Sequence, residues 1–252
     1  MLLLATLIFF TRLPFWRIMD GPADDFKRVV PRWPIVGWLT SLVMVLVLWI
    51  TGKVLPLTVA WILALLVRLI LTGCLHEDGL ADFFDGFGGG TTRERRLAIM
   101  KDSHIGTYGV IALVVYFALM LQLPAFLSRE TLCLLVLCGD CWAKCCAAQL
   151  INLLPYARTE EEAKNKTVYE RMKLGELLLC FFFGLAPALV ITLALGLLPL
   201  RLLLLLPIPL VVMLLLALLM RSKIQGYTGD CCGATFLICE LVFYLSAFCL
   251  FL

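Results

Sequence analysis

Long apolar runs separated by short polar segments dominate the chain. Seven of them approach the roughly 20 residues a helix needs to cross a bilayer. They run from about Ile35 to Ile50, Leu55 to Leu75, Tyr108 to Leu127, Thr131 to Leu153, Leu177 to Leu198, Leu202 to Met220 and Cys231 to Leu252. The pattern predicts an all-α fold: a polytopic transmembrane helical bundle of about seven spans plus interfacial helices, making a single integral membrane domain over residues 1–252. Met1 to Phe10 is apolar but too short to span. It has no basic segment before it and no small-residue cleavage site after it, so it is not read as a signal peptide. With Phe15 and Trp16 it is expected to lie at headgroup level, anchored by Arg12 and Arg17.

Composition strengthens this picture. A chain that is 62% hydrophobic and only 15% charged, with a mean hydropathy of +1.01, lies outside the range of soluble domains. Lysine and arginine then orient it. They are dense before the first span (Arg12, Arg17, Lys27, Arg28, Arg32), sparse after it (Lys53), dense again at Arg93 to Lys101, sparse at Arg129, and dense from Arg158 to Lys173. Arg201 follows alone, and Arg221 with Lys223 closes the series. By the positive-inside rule the N-terminus and three loops, at about 76–107, 154–175 and 221–230, face the cytoplasm and the C-terminus faces out, in the cell inner membrane. The net charge of +3 is slight, and topology accounts for the basic residues, so no nucleic-acid partner is indicated. Most of the 11 cysteines sit within apolar runs as small hydrophobes. Cys145–Cys146 and Cys231–Cys232 are adjacent pairs, not zinc-ligand spacings.

Candidate chemistry concentrates between His76 and Thr107, HEDGLADFFDGFGGGTTRERRLAIMKDSHIGT. Asp78, Asp82 and Asp85 recur at i, i+4, i+7, which places their carboxylates on one face of a helix continuing inward from the second span, with Glu77 beside them. Leu80, Phe83, Phe84 and Phe87 occupy the opposite face. Clustered anions at a membrane edge repel unless a cation compensates. An all-oxygen donor set of Glu77, Asp78, Asp82 and Asp85 favours Mg2+, with Mn2+ also suited. Gly86, Gly88, Gly89 and Gly90 are expected to break the helix, after which Thr91 and Thr92 cap a basic helix start. Backbone amides there and the charges of Arg93, Arg95, Arg96 and Lys101 suit a diphosphate. Arg158, at the membrane edge, is placed to reach a phosphate, and Thr228 with Asp230 adds a hydroxyl and a carboxylate. Four charges fall inside spans: Arg68, Asp140, Lys144 and Glu240. Asp140 and Lys144, at i, i+4, are expected to neutralise each other, and Arg68 to snorkel or to pair with an acid. His76 and His104 read as hydrogen-bonding or interfacial residues before metal ligands.

Five ordered segments carry a resemblance over nearly the whole chain: Phe10 to Pro14, Gly73 to Gly86 with HEDGLADFFDG, Ile99 to Gly109, Tyr156 to Arg158, and Gly226 to Asp230 followed by Gly233, Ala234 and Glu240. Together they resemble the cobalamin 5'-phosphate synthase family, also called adenosylcobinamide-GDP ribazoletransferase. The resemblance implies that adenosylcobinamide-GDP is attacked by a ribose hydroxyl of α-ribazole or its 5'-phosphate, releasing GMP and closing the nucleotide loop of vitamin B12. It makes Asp82, Asp85 and Lys101 the candidate catalytic residues, and Arg96, Lys101, Asp102, Ser103, Arg158, Thr228 and Asp230 the candidate substrate contacts. A second copy of the chain or other cobalamin-assembly enzymes are further partners it leaves open.

Two rivals use similar features. A CDP-alcohol phosphotransferase also sets spaced aspartates beside a membrane, but it needs an Ala-Arg pair after Asp-Gly, and here Ala81 is followed by Asp82. A multi-pass transporter would place acids at midspan in broken helices, whereas the densest acids here fall at a span's edge beside basic loops.

Overall fold

The computed structural model describes residues 1–18, 23–159, 167–195 and 204–251. Glu160, Glu161, Glu162, Lys164, Asn165, Lys166 and Arg201 lie outside the described residues, as do the facing ends of the fifth and sixth expected spans. The long helices are α1 (Leu2–Phe10), α2 (Trp33–Thr51), α3 (Leu57–Thr72), α4 (Leu75–Gly89), α5 (Arg93–Lys101), α6 (Thr107–Met120), α7 (Arg129–Ala148), α8 (Leu174–Leu195), α9 (Pro207–Ile224) and α10 (Gly229–Phe251). Six of them (α2, α6, α7, α8, α9 and α10) are long and apolar enough to cross a membrane, and α3 with α4 forms a seventh, broken pair bent by 88°.

That bend corrects one expectation: the acidic helix does not continue the second span but turns away from it. Gly73 and Cys74 are consecutive left-handed residues, at φ 64° and 58°. Two such residues end α3 and redirect the chain, and only the first is a glycine, the residue that adopts this conformation without steric cost. Gly73 also leaves room for Arg12, whose side chain occupies the space a Cβ would take. The Arg12 amide donates to the Leu71 carbonyl at 2.7 Å, tying the N-terminal segment to the bend.

Helix α7 is the axis of the bundle, buried on nearly every side from Leu132 to Ala148. Lipid offers no hydrophobic gain for helix association, so close packing depends on small residues. A Cβ on Gly37 of α2 would lie 2.9 Å from the Cys141 backbone, and one on Gly184 of α8 would lie 2.5 Å from the Cys145 Cβ. Charged groups inside the bundle find partners. Asp140 pairs with Lys144 as the spacing predicts, and Thr40 donates to Asp140 at 2.7 Å. Pro187 lies within α8 and has no amide to offer the carbonyl four residues back, Phe183. Trp38 of α2 fills that gap, donating its indole N–H to the Phe183 oxygen at 3.0 Å. The described cysteines are free thiols, nearly all buried.

Arg68 of α3 is buried, and its guanidinium holds Glu240 of α10 through two contacts of 2.7 and 2.6 Å. Tyr116 of α6 accepts from Arg68 at 2.9 Å, and Tyr244 donates to Glu240 at 2.9 Å. This network joins α3, α6 and α10 beneath the end of the bundle that carries the acidic helix. At the other end, Arg129 lies over the Trp49 ring and Trp61 caps α6 by donating to the Met120 carbonyl.

Candidate active site

Helices α4 and α10 meet through glycine. A Cβ on Gly79 would lie 3.0 Å from the Asp230 carbonyl oxygen, and one on Gly233 would lie 3.3 Å from the His76 backbone. The absence of side chains at these positions sets Asp230, in the first turn of α10, beside the first turn of α4 that carries Asp78. Thr228 fixes the start of α10 by accepting from the Cys231 amide at 3.3 Å and donating to Asp230.

The loops are braced around this contact. Tyr156 and Tyr227 form a parallel bridge, with the Ala157 amide donating to the Tyr227 carbonyl at 2.8 Å and the Tyr227 amide to the Pro155 carbonyl at 3.0 Å. Arg93 clamps the two sides of this bridge, donating to the Ala157 carbonyl at 2.6 Å and to the Ile224 carbonyl at the end of α9 at 3.0 Å. Arg158, only 9% exposed, donates to the Leu97 carbonyl of α5 at 2.8 Å. From the other side the Glu170 amide donates to the Lys27 carbonyl, and Arg28 pairs with Glu176 at 2.5 Å.

A cavity of about 170 Å³ lies between these parts. Phe9, Phe10, Trp33, Tyr156 and Tyr169 supply aromatic walls, and Asp78, Arg158 and Asp230 supply charge. His76 forms part of the wall, stacked 5.5 Å from Trp33 and edge-on to Phe236 at 4.8 Å. Burial pushes the Tyr156 phenol up to about 12 and raises that of Tyr169 as well, so these two rings face the site as neutral groups. A second cavity of about 250 Å³ shares Arg158 with the first and adds Arg93, Glu94, Leu97, Ala98, Lys101 and Ala157.

The four acids expected to hold metal do not converge. Glu77 is buried and turned towards Arg68, 3.4 Å away. Asp85 accepts from the amides of Gly106 at 2.7 Å and Gly109 at 2.9 Å, capping the start of α6 with a carboxylate borrowed from α4. Asp78 is exposed to the cavity, and Asp82, one turn further on, is buried and partnered. Among the described residues no three His, Cys, Asp or Glu side chains are gathered as a metal-ligand set. The donors that face the cavity are Asp78 and Asp230. They suit magnesium, which is commonly held by one or two carboxylates together with substrate phosphates.

The glycine run also differs from the open anion loop expected of it. Helix α4 continues through Gly89, and the faces of Gly86, Gly88 and Gly90 receive the side chains of Met100, Tyr108 and Arg96. Thr92 caps α5 as the sequence predicts, accepting from the Arg95 amide at 3.2 Å. Arg96 packs on Gly90 rather than facing either cavity. Asp102 and His104 are exposed and bonded to each other, and the His104 hydrogen bonds hold the Asp102 carboxyl below its ordinary range. Ser103 beside them is exposed.

All five ordered segments noted in the sequence reach this pair of cavities: Phe10, then His76 with Asp78, then Lys101, then Tyr156 with Arg158, then Gly229 with Asp230. A family model described as cobalamin-5-phosphate synthase matches residues 2–248. The chain belongs to the cobalamin-5-phosphate synthase family. A relative from Shewanella sp. (strain W3-18-1), named adenosylcobinamide-GDP ribazoletransferase, is 37% identical over 97% of this chain and 92% of its own length. A relative of the same name from Shewanella oneidensis is 35% identical over 94% and 89%. No solved structure matches. What sequence reasoning missed in this cobalamin-5-phosphate synthase family member is the aromatic wall. Phe10 and Tyr156 lie within quoted segments, but Trp33 and Tyr169 stand in stretches with no motif to mark them.

Proposed function

We propose that the chain is an adenosylcobinamide-GDP ribazoletransferase working at the inner leaflet of the cell inner membrane, with the two cavities facing the cytoplasm. The observation that carries this reading is the convergence of all five ordered segments on adjoining cavities that share Arg158. Orientation rests on the alternation of lysine and arginine along the chain.

In the reaction a ribose hydroxyl of the acceptor attacks the phosphorus that carries the cobinamide. The new P–O bond completes the phosphodiester of the nucleotide loop. The bond from that phosphorus to the bridging oxygen breaks, and GMP departs with that oxygen. Asp78, the exposed carboxylate of the first cavity, takes the hydroxyl proton. Arg158 supplies fixed positive charge to the phosphates, its guanidinium held by the Leu97 carbonyl. Magnesium, or manganese in its place, held by Asp230 together with the substrate phosphates would supply charge neutralisation on the diphosphate. The first cavity is close to the roughly 150 Å³ that encloses a single benzene ring. It therefore takes the reacting diphosphate or one ring, while the corrin stays outside. The N-terminal ends of α4 and α10 at its wall add partial positive charge where an anion would sit.

Purified protein in a bilayer, given adenosylcobinamide-GDP, α-ribazole and magnesium, is expected to release GMP together with cobalamin. Chelator should abolish the release and added magnesium restore it. Asp78→Asn is expected to slow it by about 100-fold or more, the usual weight of a general base. Turnover of a CDP-alcohol donor instead, or near-normal turnover by Asp78→Asn, would overturn this assignment.

A further inference from the structure

A third cavity, of about 410 Å³, lies apart from the other two and shares no lining residue with either. Leu153, Leu154 and Pro155 supply its apolar side, and Arg171, Arg221 and Gln225 its polar side. Two positive charges therefore line it, and no carboxylate of the described residues joins them. Both arginines are exposed, and neither has a hydrogen bond or ion pair among the described residues. Glu170, next to Arg171 in the chain, is turned to Arg28, 3.8 Å away. The backbone carrying the arginines is nevertheless fixed. The Met172 amide donates to the Asn152 side chain at 3.0 Å, and Arg221 stands in the last turn of α9, which Gln225 closes in a left-handed cap.

The helix below the cavity indicates what fills it. Val211, Leu214 and Leu218 lie ten, seven and three positions before Arg221, so the four share one face of α9. All three apolar residues are exposed, and on a helix long and apolar enough to cross a membrane that face meets lipid. An acyl chain laid along it brings its headgroup phosphate to Arg221, and guanidinium groups bind phosphate oxygens in pairs. The volume falls within the roughly 300–1,000 Å³ of organic-ligand sites and exceeds what a lone ion needs. A zwitterionic lipid would bring its own cation against the two arginines, whereas an anionic one brings none. We propose that the cavity between Arg171 and Arg221 binds the phosphate headgroup of an anionic phospholipid whose acyl chain runs along the exposed face of α9.

Full-length protein in detergent micelles is equilibrated with equal amounts of phosphatidylglycerol and phosphatidylcholine of identical chains, and the lipids retained are counted by native mass spectrometry. The readout is the ratio of the two. Each arginine is expected to contribute about fivefold, so the preference for phosphatidylglycerol should fall about fivefold in Arg171→Gln or Arg221→Gln and about 25-fold in the double variant. Leu153→Trp keeps both charges but fills the cavity, and should also lower the ratio. Lys223→Gln, on the same helix end but outside the lining, should leave it unchanged. The four altered positions are exposed, so the core packing is the same in every variant. Equal retention of the two lipids by the unaltered protein would overturn the site. A loss in Lys223→Gln as large as in Arg221→Gln would overturn it too, by assigning the preference to diffuse charge. So would displacement of phosphatidylglycerol by equal concentrations of inorganic phosphate or glycerophosphoglycerol, which would assign the cavity to a soluble phosphate. None of these measurements involves turnover, so failure here leaves the transferase reading standing.

Discussion

Replacing Gly79 tests whether the contact between α4 and α10 sets the site. An added Cβ would stand 3.0 Å from the Asp230 carbonyl oxygen and 3.2 Å from its Cα. Ordinary non-bonded carbon contacts lie at about 3.5–4.0 Å, so alanine forces the helices apart by about half an ångström, and the two methyls of valine by about an ångström or more. Both obstructing atoms are backbone, so no side chain can rotate away to relieve them. Overpacking of this kind costs about 1–3 kcal/mol. The larger effect falls on function, because a misplacement of about 1 Å in a reacting assembly costs about 100-fold in rate. GMP release should therefore fall modestly in Gly79→Ala and by about 100-fold in Gly79→Val. Each variant would be measured in nanodiscs beside Gly175→Ala, whose new Cβ meets nothing within 4 Å. Equal activity in Gly79→Val and Gly175→Ala would show that the spacing of Asp78 and Asp230 does not govern turnover.

Three further outcomes follow from the same packing. Arg68→Met strands the buried Glu240 without its cation and should cost about 3–5 kcal/mol in denaturant unfolding from micelles, much of it recovered in the double variant with Glu240→Gln; a single variant as stable as the parent would remove the network from the account. Asp85→Ala leaves the Gly106 and Gly109 amides without their acceptor and should lower stability by about 1–3 kcal/mol, with hydrogen exchange quickening at the start of α6 before elsewhere. Burial raises the Tyr156 phenol from 10.0 to about 12, so its contribution is intact below pH 10 and is lost as pH rises through 12. Tyr156→Phe should flatten the alkaline fall in stability across that window, and an unaltered curve would contradict the burial assigned to the ring.

The spans were legible because a bilayer demands long apolar runs and the chain supplies them at countable spacing. The Asp140–Lys144 pair was legible for a similar reason, since both partners sit on one helix and i, i+4 fixes their distance without reference to any other element. Glu77 and Asp85 show where that logic stops. Asp85 shares its helical spacing with Asp78 and Asp82, and Glu77 stands beside them, yet each carboxylate is claimed by a group on another helix: the Arg68 guanidinium in one case, and two glycine amides at the start of the next helix in the other. Periodicity states which residues share a face, but it does not state what the face meets. The 88° bend between α3 and α4 decides what this face meets, and it depends on Cys74 adopting a left-handed conformation that its residue type disfavours. Once the bend is made, Gly79 and Gly233 allow α10 to deliver Asp230 to the acidic helix. The carboxylate pair at the first cavity therefore unites residues some 150 positions apart in the chain. No local pattern could have announced that pairing, whereas two facing glycines in three dimensions account for it directly.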